Sequence, residues 1–172
     1  MSSANRQQQL DEVLEHFYDG FIDPQPHTFY ITAGHAIQQI EDILDVDSRE
    51  AQDVWQLFND RYVIQRPTKN GDLLSHEGIE RVDEIRDDVP VDEELQEDLV
   101  DYLYDYYLEN PSRAAVERDQ LLTDFDVSET KIDLNLYILK TAGWVETNTQ
   151  MGIGDAGYRS VELTEMGRRQ LS

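Results

Sequence analysis

Leu10, Val13, Leu14, Phe17, Tyr18 and Phe21 recur at three- and four-residue spacing. That spacing predicts an amphipathic helix over residues 8–21, stopped near Asp23-Pro24. Thr28-Phe29-Tyr30-Ile31 is a short β-prone run, and Ile37, Ile40, Ile43 and Leu44 predict a helix over 35–45. Ser48 is placed to cap a third helix, 48–61, with Ala51, Val54, Trp55, Phe58 and Tyr62 on its apolar face. The segments Tyr62 to Arg66 and Leu73-Leu74 flank a polar stretch whose Asn70-Gly71 pair signals a hairpin around 62–74. Ser75 to Ile85 then reads as helix.

The second half repeats the theme. Leu95, Leu99, Tyr102, Leu103, Tyr106 and Tyr107 predict a helix over 95–109. Ser112 can cap a helix over 113–124 carrying Val116, Leu121 and Leu122, with Phe125 just beyond. Ser128 caps the next, 128–142, where Ile132, Leu136 and Leu139 form a stripe that Leu134, Tyr137 and Ile138 widen. So broad an apolar face implies burial on two sides. Trp144 to Thr147 and Tyr158 to Leu163 read as the strands of a hairpin over 144–163.

Residues 44–82 and 122–171 therefore run through one order: acidic turn, capped helix, aromatic-Val pair, polar hairpin, and a Leu-(Ser/Thr)-x-x-Gly helix start. The offset is 80 at Ser48/Ser128, 81 at Ile64/Val145 and 89 at Gly78/Gly167, which assigns eight extra residues to the second hairpin. A repeat of this length predicts two copies of one small unit. The expected fold is mainly α with small β-hairpin wings (α+β), with units over 8–85 and 95–172 joined by an acidic linker at 86–94.

Composition narrows the function classes. Among 172 residues there are 37 acids against 14 bases, a formal charge of −23, and no cysteine. Thiolate metal sites and disulfides are excluded. No apolar run reaches membrane length, and the start of the chain is amphipathic, so a cytoplasmic protein with no membrane partner is expected. Asp outnumbers Glu 21 to 16, lysines number three (Lys69, Lys131 and Lys140), and the acids are spread over every segment. Dispersed Asp with few Lys resembles the surface composition of haloarchaeal cytosolic proteins. Carboxylates keep a surface hydrated in molar salt, where the Debye length is about 3 Å and self-repulsion is screened.

Gly143-Trp144-Val145, a polar loop, and then Val161-Glu162-Leu163-Thr164-Glu165-Met166-Gly167 resemble the closing part of prokaryotic winged-helix regulators. The resemblance is good over 95–172 and weaker over 8–85, where Arg61-Tyr62-Val63 stands in place of Gly-Trp-Val. It implies two tandem winged-helix modules whose third helices enter the DNA major groove while the wings touch the backbone or minor groove. Residue by residue, it implies a first reading face of Ser48, Arg49, Gln52, Gln56 and Asn59, with wing contacts from Arg66, Lys69 and Asn70. The second face would be Ser128, Thr130, Lys131 and Asn135, with Gln150 and Arg159 on the wing and Arg168 and Arg169 beginning the last helix. Lys131, Asn135 and Arg159 make the second unit the expected reading head. Glu50, Asp53, Asp60, Glu129 and Asp133 share these faces, where a DNA reader normally carries Lys and Arg.

Other signals are weaker. Gly152-Ile153-Gly154-Asp155-Ala156-Gly157 matches a dinucleotide fingerprint literally, but a β-prone run follows where a helix is required, so it reads as a wing tip. His16, His27, His35 and His76 are scattered, and Asp45-x-Asp47 lacks the Gly and Glu of a calcium loop. No nucleophile or carboxylate pair stands out, so neither an enzyme nor a cofactor is expected. Tyr102, Tyr104, Tyr106 and Tyr107 read as core or interface, which makes a homodimer through the 95–109 helix an option. Two readings stay open: a DNA-binding transcriptional regulator, and a protein-interaction adaptor that makes no DNA contact.

Overall fold

In the structure, a computed structural model, residues 3–23, 31–64, 72–148 and 158–172 are described. The chain divides into two units, Met1–Val89 and Pro90–Ser172. The division falls within the acidic stretch 86–94. The described residues are mainly helical, with one small three-stranded antiparallel sheet.

The first unit is built from α1 (Ser3–Ile22), α2 (Ala33–Leu44), α3 (Ser48–Tyr62) and α4 (His76–Ile85). The six apolar α1 positions from Leu10 to Phe21 are at most 2% exposed. Phe58 of α3 is fully buried, with ring centroids 5.4 Å from Phe17 and 5.9 Å from Trp55. Burying one such side chain contributes about 1.5–3 kcal/mol, so this aromatic cluster anchors α3 to α1. Between α2 and α3, Asp45 takes a left-handed φ of 53° and turns the chain. Asp47, not Ser48, caps α3: its side chain accepts from Glu50 N at 2.9 Å, and Ser48 is the first helical residue. Both side chains could do this, and the extended backbone of Asp47 decides it.

The second unit runs α5 (Glu93–Glu109), β1 (Val116–Glu117), α6 (Arg118–Asp124), α7 (Glu129–Thr141), β2 (Val145–Asn148), β3 (Ser160–Leu163) and α8 (Glu165–Leu171). The sheet order is β1-β3-β2. The expected helix over 113–124 is corrected here. Only its last seven residues are helical, and Val116 is drawn into the sheet opposite Val161. A two-residue strand is too short to show alternation in sequence. The unit's core gathers Leu99, Leu103, Val116, Leu121, Ile132, Leu136, Val161 and Leu163.

The repeated order of the sequence has a counterpart in the strand pairing of each unit. In the first unit, Val63 bridges Leu74 and Ile31 bridges Asp72. In the second, Val145 pairs with Leu163 and Val116 with Val161. Leu74/Leu163 and Asp72/Val161 share the offset of 89 seen at the glycines, so the register is the same. The aromatic-Val pair aligns as Tyr62-Val63 with Trp144-Val145. That offset is 82 rather than 81, and the second hairpin gains seven residues rather than eight. Asn70-Gly71 and Gly152 to Gly157 lie outside the described residues.

The Leu-(Ser/Thr)-x-x-Gly motif has a concrete role. Ser75 N donates to Tyr62 O at 2.8 Å and Thr164 N to Trp144 O at 3.0 Å, closing the base of each hairpin. The same two residues cap α4 and α8: Ser75 Oγ accepts from Gly78 N at 3.2 Å, and Thr164 Oγ1 from Gly167 N at 3.0 Å. A Cβ on Gly78 would lie 3.1 Å from Tyr62 O, and one on Gly167 2.7 Å from Trp144 O. Glycine is needed at position 167, where the helix starts against the carbonyl that its own cap residue holds, while at Gly78 the same carbonyl would have to give by a few tenths of an ångström.

Candidate recognition faces

On α3 the buried residues Ala51, Val54, Trp55, Phe58 and Tyr62 leave the opposite side free. Arg49, Gln52 and Gln56 are exposed there at i, i+3 and i+7, beside the exposed acids Asp53 and Asp60. Asn59 is half-buried, and Arg61 at the helix end donates to Gln7 Oε1 at 3.1 Å. These residues form one row along a helix of 15 residues. Arg66, Lys69 and Asn70 fall outside the described residues.

The corresponding helix of the second unit differs. Every residue of α7 from Ile132 to Leu139 is buried. Asn135, expected to read a base, has no exposure at all. Its Nδ2 donates to Pro90 O at 2.8 Å and Lys131 O at 2.7 Å, while its Oδ1 accepts from Asp92 N and Gln96 Nε2 at 3.0 Å each. All four bonding positions of the amide are used inside the unit, so Asn135 joins α7 to the start of α5 instead of facing a ligand. Lys131 pairs with Asp92 at 2.9 Å and Thr130 is half-buried. Bonding from Leu95 N and then Lys131 holds the Asp92 carboxyl below its usual range. At the start of α7 the exposed residues are Glu129 and the cap Ser128, whose Oγ accepts from Lys131 N at 3.2 Å.

A network that the sequence did not announce sits beside Asn135. Arg118 Nε and Nη2 donate to the two Asp133 oxygens at 3.1 and 2.7 Å, and Nη2 also reaches Glu129. Tyr158 donates its hydroxyl to Asp133 Oδ1 at 2.9 Å, and the Arg118 guanidinium lies 5.7 Å from the Tyr158 ring centroid. Asp133 is 2% exposed, so the acid expected to spoil the reading face is an internal counter-ion. Burial pushes the Tyr158 hydroxyl pKa far up, with Asp133 adding to it. The bonds that Arg118 donates to Asp133 raise its own pKa. The only sequence signal was that Arg118 and Asp133 are opposite charges flanking an apolar stripe.

The remaining candidate cations have internal partners. Arg159 lies 4.0 Å from Glu117, and Arg169 lies 2.5 Å from Glu165. Arg168 donates to Leu163 O at 2.9 Å and stacks 4.8 Å from the Tyr107 centroid. Gln150 is outside the described residues. The run after Gly157 is strand β3, so the helix a dinucleotide fingerprint requires is absent from that place. Among the described residues no group of three or more acids or histidines is placed to hold a metal ion, and no helix is long and apolar enough to cross a membrane. No family model, curated protein or solved structure matches this chain.

Proposed function

We propose that the chain is a tandem winged-helix protein of a salt-rich cytosol, and that it regulates transcription by reading DNA through α3 of its first unit. The observation that carries this reading is the exposed row Arg49, Gln52 and Gln56 on the face of α3 opposite the core. Glutamine can bond adenine and arginine guanine in a bidentate manner, each such pair discriminating by about 1–3 kcal/mol. Three such side chains over two turns match a helix lying in the major groove. The repeated order of helices followed by a bridged hairpin supports the winged-helix plan in both units. Molar salt removes most of the affinity a protein gains by releasing counterions from DNA. Base contacts then decide binding, and a scarcity of cations matters less than in dilute buffer.

The test is selection from a random duplex pool in molar KCl, followed by anisotropy titration of the enriched sequence. Gln52→Ala or Gln56→Ala should weaken the enriched sequence fivefold or more, a loss of about 1–3 kcal/mol, and leave random DNA unaffected. Lys131→Glu should change neither, since that lysine is already paired with Asp92. Undiminished binding by both glutamine variants would remove α3 from the reading.

The adaptor reading is favoured by a different observation: Arg118, Lys131, Arg159 and Arg169 of the second unit are all turned to its own acids. It wins if wild-type protein enriches no DNA and a pull-down from the source lysate recovers a stoichiometric protein. A homodimer along α5 is part of the same proposal, since Leu108 there is 57% exposed. Sedimentation of wild type and Leu108→Glu tests it.

A further inference from the structure

The last turn of α7 builds more than a helix end. Gly143, at φ 88°, donates from its N–H to Lys140 O at 3.1 Å, and Trp144 N donates to Leu139 O at 2.9 Å. This is the two-bond glycine stop in which the residue after the glycine packs on the residue five before it. It brings the Trp144 indole beside Leu139. Thr164 N fixes the Trp144 carbonyl from the other side, so the indole sits on a rigid backbone.

Trp144 and Leu171 of α8, half-buried, are the apolar surface of an open cleft of about 490 Å³, backed by the buried Leu139 and by Val100 of α5. One wall is acidic. Glu93, Glu97 and Asp101 line it at i, i+4 and i+8 on α5, so successive carboxylates rise about 6 Å apart. All three are exposed, and none is ion-paired among the described residues. Elsewhere in this unit, acids close to a cation take it up, as Asp133, Asp92 and Glu165 do. Here an apolar floor faces a wall of unneutralised charge.

We infer that this cleft binds a compact organic cation with an aromatic or otherwise apolar body. The cleft is open, and its few apolar side chains make a seat for one compact body rather than for a row of helix anchors. The apolar part of the ligand displaces water from Trp144 and Leu171, the half-buried members of the lining, while Val100 and Leu139 back them from the core. Its positive charge gains from the π face of Trp144 and from the carboxylates of the wall. A neutral ligand would leave the wall unused, and an anion would be repelled by it. The inference is independent of whether α3 reads DNA.

Tetraphenylphosphonium and tetraphenylborate share a shape and differ in the sign of charge, which makes them the probes. The full-length protein is titrated with each in molar NaCl, since potassium precipitates the borate, with Trp fluorescence and calorimetry as readouts. Saturable binding of the phosphonium is expected, with fluorescence quenching that Trp144→Phe abolishes. The borate and tetramethylammonium, which lacks an apolar body, should not saturate. Glu97→Gln should weaken the phosphonium about twofold, the scale of one exposed charge contact in molar salt, and Glu97→Lys should weaken it further. Glu97 is exposed, so neither variant threatens the fold. Equal binding of the borate, no binding of the phosphonium, or indifference to Glu97→Lys would each overturn the inference.

Discussion

The carbonyl oxygen of Trp144 lies 2.7 Å from the place a Cβ on Gly167 would occupy. That oxygen also accepts the N–H of Thr164, the cap residue of the same helix, so it cannot retreat without opening the hairpin base. Gly167→Ala should therefore destabilise the protein by about 2–3 kcal/mol, despite alanine's better helix propensity. Gly78→Ala meets Tyr62 O at 3.1 Å and should cost about 1 kcal/mol. Urea denaturation of both variants checks this, and equal losses would show that the carbonyl contact is not what sets the cost.

Arg118 and Asp133 predict a second asymmetry. Their side chains are 15% and 3% exposed, and removing one leaves the other charged in the interior. Asp133→Asn or Arg118→Met alone should cost about 3–5 kcal/mol, and the double variant Arg118→Met/Asp133→Asn clearly less than the sum. A double-mutant cycle by chemical denaturation measures it. An additive result would mean that the pair is not coupled.

How much of this was legible in the sequence follows from where each partner lies. The α1 and α3 stripes were readable because one continuous core face imposes its spacing on the residues themselves. The clasp at Ser75 and Thr164 was visible as a motif, although its reason, a carbonyl facing a glycine, was not. Val116 was misread because its strand partner Val161 is 45 residues away. Asn135 was misread for the same cause: helical spacing shows which face a polar residue occupies, not what stands opposite. Pro90 O and Asp92 N stand opposite, and they turn a reading residue into a tie.

Net charge predicts the response to salt. At −23, with 14 bases to set against 37 acids, carboxylates repel one another across the surface. The thermal midpoint should rise from about 0.1 M to molar KCl as the Debye length shrinks from about 10 to 3 Å. Calorimetry at both concentrations tests this, and an unchanged or lower midpoint in high salt would remove the halophile reading.

Alkaline pH opens a further window. Burial first, outweighing the lowering effect of Arg86, pushes the Tyr18 pKa up from 10.0 to about 12. Burial and the bond to Asp124 do the same for Tyr102, also to about 12. Folded, these hydroxyls keep protons that the unfolded chain releases, so their contribution is complete below pH 10 and is lost as pH rises toward 12. Stability should hold to about pH 10 and then fall, and Tyr18→Phe should flatten that fall. Urea midpoints across this range are the measurement, and an unaltered slope in Tyr18→Phe would exclude that residue as a source.

The two hairpins are shut at the base by the same atoms, while the chain between the closing residues differs by seven positions. Loop closure entropy grows only logarithmically, so going from ten enclosed residues to seventeen costs about 0.5 kcal/mol. The clasp thus uncouples what the tip carries from whether the unit folds. A foreign tip of similar length, spliced between Val63 and Leu74, should leave the pairing at the base intact.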